Sequence, residues 1–385
     1  MTVQDKIIWM ESIRGRNHPL SLFRSWLDEY LPEYTALNLI QVGGTNGKGS
    51  TCQWLNLILE KEGYKVGVFT SPHLISHTER IRVNSENISL ERWEMIFDKY
   101  EQLFKEKEFT MFEMDLFMAV DYFIEERIDW GIIEVGMGGR LDATTALNYK
   151  AALITNIGKD HMEYLGETLH DIAIEKSGIF KPDVPAIAYD TTFFSVMEEQ
   201  ALQKHTSLVV ADYDLSRYDL SKLPVYQREN LTLALSALEI LHLLKPAVVQ
   251  EVINSFVWEG RFMVVREDPL LIVDGAHNVP GIQALIRSLK GFHGTIYFSA
   301  LKEKEVDRMI RILFEFDSDL VLVHFDSYRV CDIEGMAQRF GLPCITFEEM
   351  KYELDHTQGD SLVCGSLYFI GDVLKWVEKS RNRNE

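Results

Sequence analysis

Gly43-Gly44-Thr45-Asn46-Gly47-Lys48-Gly49-Ser50-Thr51 puts glycines, hydroxyls and a single cation in one short run. Glycines let backbone N–H groups turn towards an anion. A following helix adds the positive end of its dipole, and the lysine can reach the outer phosphates of a nucleotide. The match to the phosphate-loop pattern is partial. Val42 stands where the pattern has its first glycine, and Gly49 follows Lys48 in place of Ser or Thr. A tight turn that binds nothing is the plain alternative. Placement between an apolar strand at 39–42 and a helix at 52–63 favours phosphate binding.

Further residues with chemical potential sit where other strands are expected to end. Ser71, in Thr70-Ser71-Pro72-His73-Leu74, can offer a hydroxyl to Mg²⁺ or phosphate, although a Ser-Pro turn is the commoner meaning. Glu134 lies within an apolar run and is followed by Gly136, Gly138 and Gly139. A buried carboxylate needs a partner, and beside a phosphate loop a Mg²⁺ is the favoured one. Asp160-His161 follows the strand at 151–155; alone, such a histidine is usually a hydrogen-bonded loop residue. Lys176, beside Glu175 on a helix at 169–180, reads by itself as an exposed surface lysine in an ion pair. Asp274 and His277, in Asp274-Gly275-Ala276-His277-Asn278, face a ligand or cap a helix, and Arg261 can lie over phosphates.

These residues need a scaffold of alternating strands and helices. Expected strands fall at 39–42, 65–70, 130–135, 151–155 and 185–189, then at 270–273, 295–298, 319–324, 343–347 and 361–364. Helical patterns fill 90–104 and 113–126. The alternation predicts an α/β protein with mostly parallel sheets. The expected division is a long first domain over 1–257, a linker over 258–264 and a smaller second domain over 265–385. The 385 residues carry a formal charge of −20, which argues against nucleic-acid or anionic-membrane partners. The N-terminus does not read as a secretory leader. The four cysteines, at 52, 331, 344 and 364, lack metal-ligand spacing and read as thiols in a reducing cytosol.

Taken in order, the blocks GGTNGKGST (43–51), TSPHL (70–74), ERI (79–81), FE (112–113), EVGMGGRLDAT (134–144), TNIGKDH (155–161), LGETLHDIAIEKSGI (165–179), GR (260–261), DGAHN (274–278) and CGSLYFIG (364–371) span nearly the whole chain. This ordered set resembles the folylpolyglutamate synthase/dihydrofolate synthase family of the Mur ligase superfamily. The resemblance implies a phosphate-loop domain and a smaller Rossmann-like domain with ATP between them. It also implies ATP-dependent joining of L-glutamate to a pteroyl carboxylate. Gly47, Lys48, Gly49 and Ser50 would hold the phosphates, Asn230 the base, and Arg261, Asp274 and His277 would reach ATP. Ser71 and Glu134 would ligate one Mg²⁺; Glu134, His161 and Lys176, the last as a carbamate, a second. Phe112, Glu113, Leu141, Asp142 and Ala143 would line the pteroyl site. Thr145, Ser177 and Glu259 depart from the family's usual Asn, Ala and Pro.

The implied partners are ATP, L-glutamate and either a folate or dihydropteroate, for a cytoplasmic, monomeric enzyme. The expected chemistry is transfer of the γ-phosphoryl group to the carboxylate, followed by attack of the glutamate amine on the acyl phosphate. Lys48, His161, Glu134 and Lys176 are the candidate catalytic residues. A folate already bearing glutamate is the preferred acceptor, and dual activity is close behind. The alternatives are a dihydrofolate synthase only, or a regulatory ATP-binding protein that forms no amide.

Overall fold

Strands with both faces covered read as unbroken apolar runs, and the centre of the first sheet is built this way. In this computed structural model, β1 (Leu39–Gly43), β2 (Val66–Phe69) and β6 (Ala151–Ile154) are buried throughout, and β5 (Trp130–Glu134) at all but its first residue. The structure describes residues 2–381 apart from positions 14, 16, 161, 317, 318 and 328. The remaining strands of this sheet are β3 (Ile81–Val83), β4 (Glu86–Asn87), β7 (Ala186–Ala188) and β8 (Leu208–Val210). Their order is β4-β3-β2-β5-β1-β6-β7-β8. All neighbours are parallel except β2–β3 and β3–β4.

Register decides what the sheet can build. Val42 pairs with Glu134, Gly43 with Ile154, and Phe69 with Ile133. The carboxyl ends of β1, β2, β5 and β6 are therefore level, so the loops after them start from one edge, where ligands gather in parallel α/β sheets.

Helices seal both faces. Helix Lys48–Lys61 buries Cys52, Trp54, Leu55, Ile58 and Leu59. Trp54 stacks on Phe256 at 3.6 Å, and its Nε1–H donates to Gln227 Oε1 at 3.1 Å. Helix Met111–Glu126 starts at Thr110, whose hydroxyl accepts from Glu113 N while the Glu113 carboxylate accepts from Thr110 N. Such a box is worth about 0.5–2 kcal/mol. Each large apolar side chain buried contributes about 1.5–3 kcal/mol.

Chain contacts divide the molecule into two units: residues 1–223 with 227–256, and 224–226 with 257–385. The second unit holds β9 (Met263–Glu267), β10 (Leu270–Asp274), β11 (Gly294–Phe298), β12 (Asp319–His324), β13 (Cys344–Thr346) and β14 (Asp360–Cys364). Their order is β13-β12-β11-β14-β10-β9, parallel except for β9. The α/β expectation with two mostly parallel sheets holds. Strands β3, β4, β8 and β9 were not expected from the sequence. Among the described residues no helix is long and apolar enough to cross a membrane.

Candidate active site

The loop after β1 turns where glycine alone is comfortable. Gly44 has φ +133°, and a Cβ there would lie 1.8 Å from Thr155 Oγ1. Gly47 is left-handed, with φ +83°, and a Cβ would lie 2.3 Å from Asn230 Oδ1. Gly47 also precedes the helix, which begins at Lys48 and not at Cys52 as expected. The left-handed residue makes the corner, so Lys48, Gly49 and Ser50 form the first helical turn. Gly47 has no side chain to cap that turn's N–H groups, which are orphan donors suited to an anion.

A second strand end braces the loop. Thr155 Oγ1–H donates to Asn46 O at 2.6 Å, and Asn156 Oδ1 accepts from Asn46 N at 3.0 Å. Thr45 Oγ1 accepts from Gly158 N at 2.9 Å. Ser50 Oγ accepts from Gln227 Nε2 at 3.1 Å, which ties the first turn to the helix carrying Asn230. Thr155, Asn156 and Gln227 were not singled out beforehand. The available signal for Thr155 and Asn156 was their place immediately after β6.

Glu134 closes β5 and is 5% exposed. Its Oε2 accepts the backbone N–H of Ser71 at 2.9 Å, which brings Ser71 and Glu134 together. The bond runs through the serine backbone, and a buried carboxylate on a residue beside a serine offers oxygen donors of the kind Mg²⁺ takes. His161 lies outside the described residues.

Lys176 is not the exposed ion-pair lysine that its own neighbourhood suggested. It is 4% exposed, and its Nζ donates to Gly44 O at 2.7 Å. Glu175 instead pairs with Arg140 at 3.0 Å. Successive helical residues point about 100° apart, so one faces out and the next faces in. Burial, reinforced by the nearby Lys48 charge, pulls the Lys176 amine down to about 7.

Phe112, Asp142 and Gly136 converge. A Cβ on Gly136 would meet the Phe112 ring at 2.6 Å and Asp142 Oδ2 at 3.2 Å. Asp142 is buried, accepts Met137 N and Thr144 N at 3.0 Å each, and has its carboxyl pushed up by burial. Ala143 is buried and Leu141 is 61% exposed. The Glu113 carboxylate accepts Thr110 N–H at 2.9 Å and His18 N–H at 2.6 Å, which ties the start of helix Met111–Glu126 to residue 18. Two of the departures from the family pattern are structural. Thr145 Oγ1 donates to Gly139 O at 2.8 Å, and Ser177 Oγ donates to Ala173 O at 2.7 Å.

In the second unit Asp274 ends β10. Its Oδ2 accepts Tyr226 Oη–H and Phe262 N–H at 2.7 Å each, and its Oδ1 accepts Ala276 N–H at 2.7 Å. Arg261 Nη1 donates to Gly260 O at 3.0 Å, and that oxygen also accepts Gly275 N at 2.7 Å. His277 Nδ1–H donates to Gly275 O at 2.8 Å. The Gly275–Gly260 bond thus sets Arg261 beside the turn that holds Asp274 and His277, and Tyr226 is a member the sequence did not reveal.

The Mur ligase middle domain model matches residues 42–229. The dihydrofolate synthase/folylpolyglutamate synthase of Escherichia coli (strain K12) is 30% identical over 367 residues, covering 89% of this chain and 87% of that one. A solved structure of E. coli FolC in complex with DHPP and ADP has a TM-score of 0.89 at 26% identity, over 99% of each chain. The Yersinia pestis bifunctional folylpolyglutamate synthase/dihydrofolate synthase, complexed with AMPPNP and Mn ion, has a TM-score of 0.88 at 25% identity over 98% of each.

Proposed function

Because the chain belongs to the dihydrofolate synthase/folylpolyglutamate synthase family, we propose that it joins L-glutamate to a pteroyl carboxylate with cleavage of ATP to ADP and phosphate. The observation that carries this reading is the gathering of Lys48, Ser71, Glu134 and Lys176 around the level carboxyl ends of β1, β2 and β5. The preferred acceptor is a reduced folate that already bears glutamate. Dihydropteroate is the second, favoured by the DHPP bound to the similar FolC.

A carboxylate does not acylate an amine, because its oxygen is a poor leaving group. Transfer of the γ-phosphoryl group to that oxygen breaks the bond to ADP and gives an acyl phosphate. The glutamate amine then attacks the acyl carbon, phosphate leaves, and the amine gives up its proton as the amide forms. Positioning and charge stabilisation are what this chemistry asks of the protein.

Gly47, Lys48, Gly49 and Ser50 hold the phosphates, and Asn230 meets the nucleotide from the neighbouring helix. Ser71, Glu134 and Lys176, with His161 carried over from the family resemblance, would hold Mg²⁺, which would neutralise charge on the transferring group. An amine near pKa 7 is about half in its neutral form at neutral pH. The Lys176 nitrogen can therefore add to CO₂, losing a proton and becoming a carbamate with oxygen donors. Phe112, Leu141, Asp142 and Ala143 receive the acceptor, and Glu113 ties down the start of the helix that carries Phe112. Arg261, Asp274 and His277 are the second unit's own candidates for nucleotide contact. The enzyme acts as a cytoplasmic monomer.

ADP formation tests coupling. It should stay low with MgATP alone and rise when acceptor and glutamate are both present. Rapid ATP cleavage with neither would favour the non-ligating alternative.

A further inference from the structure

The Glu79-Arg80-Ile81 block has no part in the site as built so far, yet it is the most heavily tethered stretch of the segment carrying Ser71. Glu79 accepts three backbone N–H groups: Leu74 at 2.6 Å, Ile75 at 2.8 Å and Ser76 at 2.5 Å. Arg80 closes the neck of this loop, since its carbonyl accepts Thr70 N–H at 3.0 Å. Ser71 is the next residue, and its own N–H is on Glu134.

Asp115 holds this neck from a different element. It sits on helix Met111–Glu126 and is wholly buried. Its Oδ1 takes His77 Nε2 at 2.7 Å, and its Oδ2 faces Arg80 Nη1 at 3.4 Å. Arg80 Nε–H also donates to His73 Nδ1 at 3.0 Å. Both cationic partners of Asp115 therefore come from the 71–80 segment. Attachment by packing alone would need no charge, and buried ions carry a desolvation cost of several kcal/mol each. What a directional ionic network adds is a fixed orientation.

Glu11, His73 and His77 also bring donor atoms within 4.8 Å of one another, as a metal cluster would. Arg80 argues against an ion there. With Nδ1 accepting the Arg80 hydrogen, neutral His73 keeps its proton on Nε2 and has no lone pair to give.

We infer that Asp115 is a positioning residue for the divalent-metal site, setting Ser71 against Glu134 through Arg80 and the neck bond to Thr70. This rests on the reading that Ser71 and Glu134 hold the metal. Groups bonded directly to a metal ligand are worth about 10–100-fold in metal affinity; Asp115 acts through Arg80 and belongs at the low end.

The test is a Mn²⁺ titration of the full chain with ADP present, followed by paramagnetic resonance, which needs no turnover. Wild type should bind Mn²⁺ and Glu134→Gln should lose it. Asp115→Asn should bind about tenfold more weakly. Arg80→Lys, which keeps the charge but loses both the Nη1 facing Asp115 and the Nε–H to His73, should do likewise and guards against misfolding of the first variant. Asp121→Asn, an ion-pair change on the same helix, should bind as wild type does. If Asp115→Asn and Arg80→Lys titrate like wild type and only melt earlier, the positioning role is overturned and the metal reading stands. If wild type takes up no Mn²⁺, or Glu134→Gln binds undiminished, the metal reading falls and the inference with it.

Discussion

The Lys176 side-chain nitrogen lies 2.7 Å from the carbonyl oxygen of Gly44, in a buried position against the glycine-rich loop. A side chain from the 169–177 helix is thus bonded to the turn that positions Lys48. The buried lysine has its proton affinity lowered by burial and by the charge of Lys48. This arrangement suits a lysine that is modified to an oxygen ligand.

Replacement of Lys176 by Ala should lower ligation about 100-fold or more, in line with removal of a metal ligand. Small added carboxylates should restore part of the loss. Intact-mass measurement of wild type in bicarbonate, under non-acidic conditions, should show the increment of one CO₂, absent in the variant. Wild-type activity in Lys176→Ala would refute the role.

Gly47→Ala should weaken nucleotide binding and lower the melting temperature together. The added Cβ meets Asn230 Oδ1 at 2.3 Å and is held at φ +83°. Left-handed strain alone costs about 1–2 kcal/mol. Calorimetric titration with ADP and a thermal melt would check both.

The network around His77 predicts a pH dependence of stability. Facing His77 are Asp115 on helix Met111–Glu126, Glu11 on helix Val3–Ser12, Arg80 and His73 in its own segment, and the Trp93 ring. Burial opposes the charge, but Asp115 and Glu11 outweigh it and raise the imidazole from 6.5 to about 9. A raised pKa stabilises the fold fully below the unfolded value and loses that contribution as pH rises through the folded one. Wild type should therefore exceed His77→Asn by on the order of 2–3 kcal/mol near pH 6. The gap should close between about pH 6.5 and 9.5. Denaturant midpoints that differ equally at pH 6 and pH 10 would contradict this.

Asp142→Ala should raise KM for the pteroyl acceptor about tenfold and leave ADP affinity unchanged, because it unties Met137 and Thr144 without touching the phosphate loop. Equal losses of nucleotide and acceptor binding would place Asp142 elsewhere in the mechanism.

Much of the fold was legible because the central strands are apolar on both faces. Strands 39–43, 130–134 and 319–324 stand within a residue of expectation. The short strands β3 and β4 escaped because a three-residue and a two-residue strand carry little pattern. Their joining turn, Asn84 and Ser85 at φ 50° and 64°, was the available signal. In the site, Glu134 could be read as buried from its neighbours. Lys176 could not, since its adjacent Glu175 suggested a pair that helix geometry forbids. Asp115, flanked by apolar residues and paired far along the chain with His77 and Arg80, gave no local sign of its partners.

Ligation itself is the decisive measurement. Purified protein incubated with MgATP, L-glutamate and either dihydropteroate or a reduced folate should yield an acceptor heavier by one glutamyl residue in the mass spectrum, with ADP formed alongside. If neither acceptor gains mass while ATP is bound, the chain is not a pteroyl–glutamate ligase.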